Sequence, residues 1–186
     1  MKQIILLSTL VLMFAGFAFA QPKTVTDYYL AMPSNFYNFT QIKNKEALTK
    51  YRKKNIKIED IKNGYLRIES IDLEGRGEVA LFKKNDGSYI VGQSEVGCGP
   101  ICGGGVDFWT YKAGKWTNVT KQVFAFSDAD LNKLFASRNV EESDRTAFFE
   151  LPREGKTITL KCDDCDPNGD GVLAKFEWNG SKFVKK

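Results

Sequence analysis

From Ile56 onward, apolar and polar residues alternate with a period of two. A strand shows its side chains to opposite faces in turn, so this period predicts half-buried β-strands. "IKIEDI" and "YLRIESI" flank Asn63-Gly64. That dipeptide favours a two-residue type I′ turn, which needs positive φ at both positions. "EVALFKK" and "SYIVGQS" flank Asn85-Asp86-Gly87, and "VDFWTYK" and "KWTNVT" flank Ala113-Gly114, predicting two more hairpins. "RTAFFEL" and "KTITLKC" read as strands, and "VLAKFEW" and "KFVKK" close the chain around Asn179-Gly180. The total is about nine or ten short strands.

The helical period appears in few places. "NKEALTKYRKKN" predicts about three turns, with Ala47, Leu48 and Tyr51 as its apolar stripe. "DADLNKLFAS" predicts another helix, with Ser127 as N-cap and Asp130 at the capping-box position. A short helix starts at Thr26 or Asp27 and stops at Pro33, whose ring cannot continue it. Strands joined by hairpins, with two or three helices, predict one α+β domain built on a mainly antiparallel sheet.

The first twenty residues are of another kind. Lys2 precedes an apolar run over residues 4–19, and Ala18 and Ala20 form a small-residue A-x-A site before Gln21. This reads as a signal peptide over 1–20, leaving a single exported domain over 21–186. No later segment is apolar enough to span a bilayer. The expected location is secreted or periplasmic. A domain of this length buries about two-thirds of its unfolded surface.

Charge adds little. Lys and Arg number 27 against 23 Asp and Glu, a net charge of +4, and the two signs are interspersed. The densest basic run, residues 50–57, reads as a solvated helix face. Export and mild charge argue against nucleic acid as a partner. The chain has no histidine. That removes Ser-His-Asp and Cys-His catalysis and His-ligated zinc. A pair of carboxylates is the remaining hydrolytic chemistry, with Glu69, Glu78, Glu95 and Asp107 as candidates. Nothing in the sequence brings two of them together.

Four cysteines remain, Cys98, Cys102, Cys162 and Cys165. In an oxidising compartment the default is two disulfides, either local within each loop or crossed between the loops. A four-thiolate zinc site fits the spacing but not the compartment. Redox catalysis is disfavoured too. Asp163 and Asp164 stand between Cys162 and Cys165, and carboxylates raise a thiol pKa.

"DPNGDGVLAKFE" places Asp166, Asn168, Asp170, Gly171 and Glu177 at positions 1, 3, 5, 6 and 12 of a calcium loop. The pattern resembles an EF-hand loop. The flanks do not, because both alternate as strands where an EF-hand needs helices. On a strand, Glu177 lies about 23 Å from Asp170 at roughly 3.3 Å per residue, too far to ligate the same ion. What remains is a smaller candidate calcium site between strands. Its ligands are Asp166, Asn168 and Asp170, with Asp164 and the Val172 carbonyl completing the shell. The competing reading is a solvated turn.

"VGCGPICGGGVD", residues 96–107, reads as a flexible or disulfide-pinned loop that carries contacts. A faint echo links "WTYKAGKW" to "FEWNGSKF", with aromatics at matching offsets. Ordinary cross-strand packing explains it, and a duplicated half-domain or an exposed aromatic binding face is the alternative. The expected function is an exported, disulfide-containing, non-enzymatic binding or inhibitor-type domain, its partner a protein or glycan. Alternatives are a hydrolase with a carboxylate pair and a structural envelope protein.

Overall fold

A computed structural model describes residues 22–33, 42–69, 75–98, 102–162, 165 and 170–186. Six strands form one antiparallel meander in chain order: β1 (Ile56–Asp60), β2 (Tyr65–Glu69), β3 (Gly75–Lys83), β4 (Tyr89–Cys98), β5 (Cys102–Lys112) and β6 (Lys115–Asn118). Four more form a second: β7 (Phe148–Glu150), β8 (Thr157–Lys161), β9 (Val172–Trp178) and β10 (Phe183–Lys185). The helices are α1 (Val25–Ala31), α2 (Lys45–Asn55), the single-turn α3 (Thr120–Val123) and α4 (Asp128–Ser137). The architecture is a single compact α+β domain, as the alternation predicted.

Side-chain alternation sorts the first sheet into two buried faces. Leu66, Ile68, Val79 and Val91 pack against Val25, Tyr28 and Tyr29 of α1. Tyr65, Ala80, Phe82, Ile90 and Phe108 point the other way, onto Ile158, Leu160, Phe176, Trp178 and Phe183 of the second sheet. The order of layers is helix, sheet, sheet. Strand β3 is buried on both sides, which is why "VALF" is a continuous apolar run.

Several local expectations are corrected. The Asn63-Gly64 hairpin does not use a two-residue turn. Asp60 pairs with Tyr65, so residues 61–64 form a four-residue loop, and only Gly64 has positive φ, at 67°. The Asp60 carboxylate takes the Asn63 N–H at 3.1 Å and the Asn63 amide at 3.0 Å, so the loop is closed by this side chain three residues back instead. The tight two-residue turn is at Ala113 and Gly114, φ 50° and 82°, between the paired Lys112 and Lys115.

Residues 96–107 are mostly ladder rather than loop. Val96 pairs with Gly104, Gly97 with Gly103 and Cys98 with Cys102. At Gly104 a side chain would collide with the Glu95 carbonyl oxygen. Its N–H donates to the Ala147 carbonyl at 2.9 Å, joining the first sheet to the segment entering β7.

Helix α1 is capped by Thr24, not by Thr26 or Asp27; Asp27 closes the capping box from the third helical position. Thr24-x-x-Asp27 is itself a capping-box spacing. The buried face of α2 is Arg52 and Asn55, while Ala47 is exposed and Leu48 and Tyr51 half-buried. Arg52 donates to the carbonyls of Met32 and, at 2.8 Å, Pro33, where the end of α1 leaves acceptors unpaired, and lies 5.4 Å over the Tyr29 ring. Helix α4 has the predicted Ser127–Asp130 box. Helix α3 was not anticipated. It is fixed by tertiary bonds, the Phe108 N–H donating to Thr120 Oγ1 at 2.8 Å and the Val119 N–H to the Phe108 carbonyl at 2.8 Å.

Candidate functional site

The calcium-loop residues Asp164, Asp166 and Asn168 lie outside the described residues, as does the signal segment 1–20. Asp170 is exposed, and its Oδ1 takes the Val172 N–H at 3.0 Å. Gly171, φ 67°, accepts the Cys162 N–H at 2.9 Å on its carbonyl. Val172 opens β9. Glu177 sits on that strand and pairs with Lys186 at 2.8 Å and Lys156 at 3.7 Å. Among the described residues, no group of three or more Cys, Asp or Glu is placed to hold a metal.

Cys162 and Cys165 form a local disulfide with a Cα separation of 5.4 Å. It pins the end of β8 beside Gly171. Cys102 is also disulfide-bonded, and its backbone stands directly opposite Cys98. An oxidised pair offers no thiolate to zinc.

The four candidate carboxylates divide between two faces. Glu69 and Glu78 share the inner side of β2 and β3, where Glu69 pairs with Arg67 at 3.2 Å. Glu78 is buried, and burial pushes its carboxyl above the usual range. It accepts the Tyr65 hydroxyl at 3.0 Å and the Leu151 N–H at 2.7 Å. Glu95 and Asp107 occupy diagonal positions on the opposite face of β4 and β5. Asp107 is engaged by Asn118 at 3.1 Å and Thr120 at 2.9 Å.

One cleft, about 440 Å³, lies between α4 and the second sheet. Phe124, Phe126, Phe176 and Phe183 line it, with Asp130, Lys133 and Lys185 at its rim. The rings form a continuous cluster, Phe124 being 5.0 Å from Phe176 and 5.8 Å from Phe126. Its one carboxylate among the described residues, Asp130, takes the Ser127 hydroxyl at 2.7 Å and N–H at 3.1 Å, which hold it below the ordinary carboxylate range.

A second cleft, about 400 Å³, lies at the end of the β3–β4 hairpin beside α1. Tyr28, Tyr89 and Tyr111 line it with Lys84, Lys112, Ser88, Thr110 and Asp86. Among the described residues, Asp86 is its only carboxylate. It accepts the Ser88 hydroxyl at 2.6 Å and Lys84 at 2.9 Å, and these contacts depress its pKa.

Each repeat of the sequence echo supplies lining to one of these clefts. Tyr111 stands opposite Trp116, rings 5.0 Å apart, and Trp178 opposite Phe183, rings 5.1 Å apart. Each indole N–H docks its hairpin on a neighbour, Trp116 to the Ala31 carbonyl at 3.1 Å and Trp178 to the Lys83 carbonyl at 2.7 Å. The echo is therefore cross-strand packing. Tyr28, Tyr89 and Lys112 were not anticipated as site residues. No local pattern marks them, because the cleft is assembled from segments distant in sequence.

No family model matches the chain, and no curated protein matches it. A solved structure described as a domain of an uncharacterized protein from Porphyromonas gingivalis W83 is similar in fold. Its TM-score is 0.51 at 12% identity, over 87% of this chain and 97% of that one. Among the described residues, no helix is long and apolar enough to cross a membrane.

Proposed function

We propose that this protein is an exported, non-enzymatic binding domain that recognises its partner through aromatic-lined clefts. The observation that carries this reading is the state of the carboxylates. Among the described residues, each of the two clefts described above holds one, and both are tied into turns and kept ionised by donors, Asp130 in the α4 cap and Asp86 beside Ser88. A hydrolase of this class needs two acids facing one cleft, one of them with a raised pKa. The carboxyls that burial raises, Glu78 and Glu95, line neither cleft. The Cys162–Cys165 disulfide and the apolar leader support a secreted or periplasmic location.

Array capture tests this reading. The oxidised chain over residues 21–186 is applied to peptide and glycan arrays, and the captured probe is recovered and weighed by mass spectrometry. The expected result is an intact probe whose capture is lost on substitution of cleft-lining residues. A cleaved probe, with cleavage abolished by Asp86→Asn or Asp130→Asn, contradicts it.

Calcium belongs to the proposal as a stabilising ion for the segment 166–171, on the donor set Asp164, Asp166, Asn168, Asp170 and the Val172 carbonyl. Calorimetric titration tests it. Heat saturating at about 10⁻⁴ to 10⁻³ M calcium is expected, and its persistence in Asp166→Ala/Asp170→Ala contradicts the assignment.

A further inference from the structure

We infer that the cleft lined by Tyr28, Tyr89 and Tyr111 is a saccharide subsite for an acidic sugar, one bearing a carboxylate. The inference rests on the binding reading above and names the class of ligand.

The chemistry of the lining selects the ligand. Tyr89 and the half-buried Tyr111 supply apolar ring surface that ends in hydroxyls, and the buried Tyr28 backs them. Ser88 and Thr110 add further hydroxyls. Among the described residues, no aliphatic side chain lines this cleft, so an apolar peptide anchor finds no matching surface. A pyranose does match. One face of its ring is a set of C–H groups for the tyrosines, and its edge is a belt of hydroxyls for the polar side chains.

Charge selects the acid. Lys84 is matched by Asp86 at 2.9 Å, and the cleft's other cation, Lys112, is exposed on β5. Among the described residues the lining therefore carries two cations and one anion, an excess of positive charge that favours a ligand carboxylate.

The walls are already in place. Tyr28 is 5% exposed, and its ring meets Tyr111 edge-on at 6.2 Å and Trp116 at 6.2 Å. Tyr111 is further braced by Trp116, whose indole is tied to α1. Such a cleft needs little ordering when it binds, which keeps the cost of binding low. Tyr89, 38% exposed, is the accessible wall.

The test is calorimetric titration of the oxidised chain with tri-galacturonate and with neutral galactotriose, the ligand being weighed afterwards. The expected result is saturable binding of the acidic trimer, weaker binding of the neutral one, and weakening of the former by salt. Tyr89→Ala and Lys112→Ala should each weaken it about tenfold. Both positions are accessible, and near-ultraviolet circular dichroism establishes that the variants are folded. Lys175→Ala, an exposed position on β9 that lines neither cleft, should leave it unchanged. Absence of binding, equal affinity for the neutral trimer, or indifference to Tyr89→Ala and Lys112→Ala overturns the inference and leaves the binding-domain reading standing. A shortened trimer overturns the non-enzymatic reading itself.

Discussion

The Leu151 N–H donates to Glu78 Oε2 at 2.7 Å, joining β3 of the first sheet to the residue that follows β7 in the second. Glu78 also takes the Tyr65 hydroxyl at 3.0 Å, and it is only 6% exposed. A buried carboxylate with these donors holds the sheets in register but is poorly solvated.

Burial raises the folded-state pKa of Glu78 above its unfolded value. A raised carboxyl binds its proton more tightly when folded, so its contribution to stability is complete below the unfolded value near 4.3 and is lost as pH rises through the folded value. Glu78→Gln mimics the protonated form. It should raise the thermal midpoint at pH 7, with the gap to wild type closing toward pH 4. Glu78→Leu strands the Leu151 N–H and should cost about 1–3 kcal/mol at pH 4, and less at pH 7, where wild-type Glu78 has lost its contribution. Thermal unfolding across this range reads both.

Asp60 behaves with the opposite sign. The Arg153 guanidinium at 2.8 Å, followed by the Asn63 amide, draws its pKa down to about 2. That contribution is present above the unfolded value and is lost as pH falls through about 2. Asp60→Asn should lower the thermal midpoint at pH 7, with the difference vanishing in strong acid.

Arg52→Met should destabilise the chain by about 3 kcal/mol, measured by urea unfolding, because the carbonyls ending α1 lose their donor. Arg52→Lys keeps the charge but loses the fork, and should recover only part of this.

Gly104→Ala should cost about 1–3 kcal/mol, since its methyl meets the Glu95 backbone. Gly105→Ala is the control. Nothing lies within 4 Å of its Cβ position, and its effect should stay within about 0.5 kcal/mol.

These residues also mark where the sequence can be read and where it cannot. "VLAKFEW" declares β9, because each residue's face follows from its neighbours two away. Ser127 and Asp130 declare the start of α4, because a cap is a three-residue matter. Arg52 reads as a solvated cation, because its acceptors at Met32 and Pro33 lie about twenty residues earlier. The run at 102–105 reads as a loop, because glycine is a poor strand former; the tight approach of Glu95 and Ala147 that selects Gly104 is tertiary. The tyrosine cleft is hidden for the same reason. Its walls come from α1, the β3–β4 hairpin and β5, which alternation places on a sheet but not beside one another.

The most direct measurement is proton NMR of tri-galacturonate held overnight with the oxidised chain over residues 21–186, because one spectrum reports both binding and bond cleavage. The account predicts broadened ligand resonances, restored to sharpness with Tyr89→Ala, and no new reducing-end anomeric signals. Growth of those signals, arrested by Asp86→Asn, would contradict it and make the cleft an active site.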